Sequence, residues 1–98
     1  MAEAQGDQEG QGVVTTPADS DPVSATLAYL ARALVSNVDD VRIERTENER
    51  GPVYKLHVNP DDMVRVIGKG GRVARSIRQV ARAAAARAGT RAFIEIGD

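Results

Sequence analysis

Three glycines in four consecutive positions, Gly68, Gly70 and Gly71 around Lys69, separate two stretches of helical periodicity. This junction limits the folds open to the chain more than any other feature. Glycine reaches positive φ and lets another backbone approach closely, so the two helices meet at a tight turn instead of running on as one. Before it, Asn59-Pro60-Asp61 opens a short helix, with Pro60 in the first turn and Asp61 and Asp62 favourable to the positive end of the dipole. Met63, Val66 and Ile67 form its buried side. After it, residues 72 to about 88 form the longest helix, with Val73, Ile77, Val80, Ala84 and Ala88 on one stripe, Ala74 and Ala81 widening it, and Gly89 ending it.

The remaining pattern supplies one more helix and three strands. Asp21 before Pro22 is a helix start, because the carboxylate accepts from free backbone N–H groups and proline suits the first helical position. Val23, Leu27, Leu30 and Leu34 recur on one face and carry this helix to about residue 35, with Asn37 as a left-handed terminator and Asp39-Asp40 as a short turn. Residues 41–46 and 53–58 read as a hairpin closed around Gly51-Pro52. In its second strand Tyr54, Leu56 and Val58 face the core, while Lys55 and His57 are expected on a solvated face. A last strand runs over about 91–96 with Ile94 and Ile96. The order α-β-β-α-α-β predicts an α+β domain over residues 21–98, a three-stranded mixed sheet packed against three helices. Two helices between the second and third strands leave room for a crossover that makes them parallel. Residues 1–20, rich in Gly, Gln, Ala and acid, bury too little to offset ordering entropy and are expected to be a disordered acidic tail.

The net charge of −1 hides a strong asymmetry. Residues 1–21 hold Glu3, Asp7, Glu9, Asp19 and Asp21 and no Lys or Arg, which leaves 13 cations against nine carboxylates in the rest. Within residues 65–91 stand Arg65, Lys69, Arg72, Arg75, Arg78, Arg82, Arg87 and Arg91 without a single carboxylate. That run is an anion-attracting field. A glycine turn directly before a helix adds unpaired N–H groups and a positive dipole end, which suit a phosphate, and Lys69 adds a mobile charge. The Walker pattern and the dinucleotide fingerprint both fail here, the latter because Val73 stands where glycine is needed. Arg72 lies in the first turn of the long helix, where a cation opposes the dipole and needs a reason. Arg82 and Arg87 are explained by a merely solvated face.

Other chemistries find little support. The chain has no Cys, so it can form neither a disulfide framework nor a thiolate metal site. No Ser or Cys arrangement accompanies its one His, His57, and capping accounts for Asp61 and Asp62, so no enzyme is expected. With Tyr29, Tyr54 and Phe93 as the only aromatic residues, a multi-aromatic base-stacking surface is excluded. Neither a signal peptide nor a membrane span is visible, and a cytoplasmic location is expected.

The run Val66-Ile67-Gly68-Lys69-Gly70-Gly71, followed by an apolar helix, resembles the KH signature Val-Ile-Gly-x-x-Gly. The layout of residues 21–98 is similar to the bacterial type II KH fold, and more narrowly to small single-domain KhpA-type proteins. The resemblance implies single-stranded RNA binding at Ile67, Gly68, Lys69, Gly70, Gly71, Arg72 and Arg75, with Val66 and Val73 helping Ile67 to floor a groove. It also implies a role as an RNA chaperone or post-transcriptional regulator, no cofactor, and association as a homodimer or with a larger KhpB (Jag)-type KH protein. Ala74 departs from the larger aliphatic residue common in KH domains, which suggests tighter helix packing or a smaller groove. The rival reading is a protein-interaction adaptor or dimerisation module with little RNA binding of its own. Lys69 and the acid-free run argue against it.

Overall fold

A computed structural model describes residues 14–16 and 21–97. In chain order the elements are β1 (Val14–Thr16), α1 (Pro22–Leu34), β2 (Arg42–Asn48), β3 (Gly51–His57), α2 (Met63–Ile67), α3 (Arg72–Arg87) and β4 (Phe93–Gly97). Short 3₁₀ turns occupy Val38–Asp40, Pro60–Asp62 and Lys69–Gly71. The strands form one sheet in the order β1-β2-β3-β4, in which β1/β2 and β2/β3 are antiparallel and β3/β4 parallel. Tyr54 stands opposite Ile94 and Leu56 opposite Ile96. This parallel pair is what the α-β-β-α-α-β order predicts, since α2 and α3 form the crossover between the two strands.

The helices cover one face of the sheet. Asp21 caps α1 by accepting from the Ser24 N–H at 2.8 Å, as the Asp-Pro start predicts. The buried arc of α1 is wide: Val23 and Leu27 join the core with Ile43, Tyr54 and Leu56, while Ser24, Ala28 and Ala31 are buried as well. Small residues are likewise buried on α3, at Ala74, Ala81 and Ala85, and the two helices pack directly against each other. Side chains this short let two helix backbones approach closely.

Four expectations are corrected. The tail expected to lack order through residue 20 contains β1, where Val14-Thr15-Thr16 pairs with residues 43–45 of β2; β-branched residues suit such an edge strand. Residues 1–13 and 17–20 lie outside the described residues. Asn37 is not left-handed, with φ −98°, because α1 ends in extended backbone at Val35 and Asn37 is held by other partners. The core stripe of α3 is Ala74, Ile77, Ala81 and Ala85, turned by roughly 60° from the expected one at 100° per residue. Val80 is 47% exposed as a result. Finally, His57 is only 9% exposed, because its Nε2 meets Glu44 Oε1 of the neighbouring strand at 2.6 Å. That hydrogen bond, helped by the charges around it, holds the Glu44 carboxyl below its ordinary range.

Candidate nucleic-acid interface

The junction between α2 and α3 is built around Gly68. At φ 76° and ψ 170° it turns the chain out of α2, its N–H donating to the Val64 carbonyl at 2.9 Å and its own carbonyl accepting from the Gly71 N–H at 3.0 Å. A methyl group here would lie 2.8 Å from Val73 Cβ and 3.0 Å from Val73 N, so the first turn of α3 is folded directly onto the glycine. Positive φ and close approach both demand glycine at this position. Gly70, at φ 64°, differs, since a side chain there would meet nothing within 4 Å.

Helix α3 then starts from left-handed Gly71 with no capping side chain and no acid in its first turn. Its positive end is therefore framed by Lys69, Arg72 and Arg75, all exposed. The Arg75 side chain folds back along the loop, Nη2 donating to the Gly70 carbonyl at 3.4 Å. Among the described residues no carboxylate bridges to Lys69, Arg72, Arg75, Arg78, Arg82, Arg87 or Arg91. Such uncompensated charge at the start of a helix raises the local potential and leaves the donors for an external anion.

The structure thus brings six of the seven expected residues, Gly68, Lys69, Gly70, Gly71, Arg72 and Arg75, to one end of α3. Ile67, half-buried, sits immediately before them at the end of α2. The apolar floor needs one correction. Val66 is 0% exposed and belongs to the core, since the period of α2 turns it inward, while Val73 packs on that core and against Gly68.

One feature holding this site was not visible in the sequence. Asp62, expected as a dipole partner of α2, makes no capping bond to that helix. Its carboxylate, 2% exposed, accepts from the Ser36 and Asn37 N–H groups and the Asn37 side-chain amide, each at 3.1 Å. Arg65 completes the clasp by donating to Ser36 Oγ, with its guanidinium 3.8 Å from Asp62. The Ser36 N–H first, then Asn37 and the Arg65 charge, hold the Asp62 carboxyl below its ordinary value. The end of α1 is thereby tied to the start of α2, and α2 carries the loop. Asn59 takes over the local capping role, accepting from the Asp61 N–H at 2.8 Å. Arg65, part of the basic run, is thus engaged within the fold.

Residues 24–96 match the family model described as KhpA/KhpB, KH domain. The chain belongs to this family. KhpA/KhpB relatives include the RNA-binding protein KhpA of Clostridium acetobutylicum, 40% identical over 70 residues that cover 71% of this chain and 93% of that one. The RNA-binding protein KhpA of Halalkalibacterium halodurans is 41% identical over 70 residues, covering 71% and 92%. That of Mycobacterium bovis is 46% identical over 50 residues, covering 51% of this chain and 62% of its own length. The chain therefore spans less than two thirds of this mycobacterial relative. No solved structure matches it. The matched region takes in all three helices' shared core, the glycine junction and the parallel strand pair, and it begins after β1. Among the described residues no helix is long and apolar enough to cross a membrane.

Proposed function

We propose that this KhpA/KhpB-family chain is a binding module, not an enzyme, that holds single-stranded RNA at residues 67–72 and Arg75. The observation that carries the proposal is the start of α3: a left-handed glycine with no cap and no acid, flanked by three exposed cations. RNA phosphates approach the loop backbone, Lys69 neutralises one of them, and Arg72 and Arg75 extend the contact along α3. Bases rest against Ile67. A KH loop clamps about four nucleotides, so affinity from one domain is modest and sequence discrimination limited. Association with a second copy or with a larger KhpB (Jag)-type protein would raise avidity. A cytoplasmic role as an RNA chaperone or post-transcriptional regulator is the reading that fits such weak, general binding. The names of the KhpA relatives support the RNA assignment.

Backbone NMR of the chain titrated with a mixed-sequence single-stranded RNA tests this reading. The largest amide shifts are expected at residues 67–72 and Arg75. Shifts confined to the open face of the sheet, around Glu44, Lys55 and Glu95, would contradict it.

A further inference from the structure

The loop leaves four arginines of the basic run unused, Arg78, Arg82, Arg87 and Arg91, of which Arg78 is half-buried. Arg82 and Arg87 on the C-terminal half of α3, and Arg91 beyond it, are exposed and have no carboxylate partner among the described residues. Their counterpart in charge lies at the other end of the chain, where Glu3, Asp7 and Glu9 are the only charged side chains of residues 1–13. The fold determines how close the two can come. Strand β1 runs antiparallel to β2 with Val14 opposite Arg45, so the first residue of β1 lies toward the turn that joins Asn48 to Gly51. Helix α3 ends toward the same end, because β4 starts there with Phe93 opposite Val53. Val14 and β4 stand three strand spacings apart, about 14 Å, and the helix layer lies about 10 Å above the sheet. Thirteen residues reach up to about 45 Å, which spans this separation.

We infer that the acidic segment before β1 docks against Arg82, Arg87 and Arg91 and lowers the affinity of this surface for nucleic acid; the second half rests on the RNA reading above. The segment is an internal polyanion, tethered at Val14 and therefore present at high effective concentration. It screens the field that would otherwise attract phosphates anywhere along α3 and leaves the loop end, at the far end of that helix, as the preferred point of entry. Because the attraction is between exposed charges, it weakens as salt rises.

The full chain carrying Glu3→Gln, Asp7→Asn and Glu9→Gln tests both halves, as none of these changes touches a residue of the described core. Amide spectra of the two proteins without RNA are expected to differ around Arg82, Arg87 and Arg91 at low salt and to converge at high salt. With a mixed-sequence single-stranded RNA, the variant is expected to bind about two- to fivefold more tightly at low salt, the two affinities converging as salt rises. Spectra that superimpose over α3 at low salt overturn the docking whatever the RNA does. Equal affinities of two proteins that both bind RNA overturn the competition. Absence of binding in both proteins overturns the RNA reading instead, while the spectra still decide the docking.

Discussion

Two glycines two positions apart separate the demands that the backbone makes on this loop. Gly68 combines φ 76° with a space that Val73 fills, whereas Gly70 has φ 64° and open surroundings. Gly68→Ala should therefore cost about 2–4 kcal/mol, a left-handed penalty plus displacement of Val73. Gly70→Ala should cost only about 1 kcal/mol. Urea unfolding of both variants checks this, and equal losses would contradict the packing described for Val73. Asp62 gives a second test through pH. Its folded-state pKa is held below the ordinary value, mainly by the Ser36 N–H, so the ionised clasp contributes fully above about pH 3.9 and is lost as pH falls through the lower folded value. Asp62→Asn should lower the melting temperature near neutral pH, with the gap to the wild type closing on acidification. A gap independent of pH would mean that the carboxylate charge plays no part. Nothing in the local sequence reveals this clasp, because Asp62 beside Pro60-Asp61 reads as a helix cap while its partners lie 25 and 26 residues away.

At the scale of elements, periodicity located α3 but not its rotation. Counting the largest apolar residues puts Val73, Ile77 and Val80 at the centre of the buried face. The structure keeps Ile77 buried but joins it with Ala74, Ala81 and Ala85 and leaves Val80 exposed; α3 packs against α1, where Ser24, Ala28 and Ala31 are likewise small and buried. Size alone misleads when two helices are paired through their small residues. Ile77→Ala should thus cost about 2–5 kcal/mol, and Val80→Ala less than about 1 kcal/mol. Comparable losses in denaturant unfolding would restore the original stripe. The strands were more legible: alternation placed Tyr54, Leu56 and Val58 toward the core, where all three are buried. Alternation tells which face His57 takes, not that a cross-strand partner, Glu44, covers it there. Strand β1 escaped notice for a related reason, since three residues are too few to stand out within an acidic, glycine-rich stretch.

Across the whole molecule, the glycine junction and the asymmetric distribution of charge were both legible, because loop chemistry and charge are local properties that tertiary packing does not erase. What needed the structure was the withdrawal of one cation of the same run, Arg65, into the Asp62 clasp, beside an uncapped helix end that keeps three exposed cations. Three or four phosphates held there would give a single-strand salt slope of roughly −2 to −3 in log affinity against log salt. The most direct measurement is an RNA titration at several salt concentrations with the wild type and the Lys69→Asp/Gly70→Asp double variant, alongside circular dichroism and thermal melts. Both positions are exposed, Gly70 has space for a side chain, and aspartate tolerates its left-handed backbone better than most residues. The variant should stay folded, with a modest drop in melting temperature, and lose RNA binding by at least about tenfold at low salt, as two carboxylates replace a cation at the phosphate entry. Wild-type affinity in a folded double variant would contradict the loop's role and leave the domain as a protein-interaction adaptor.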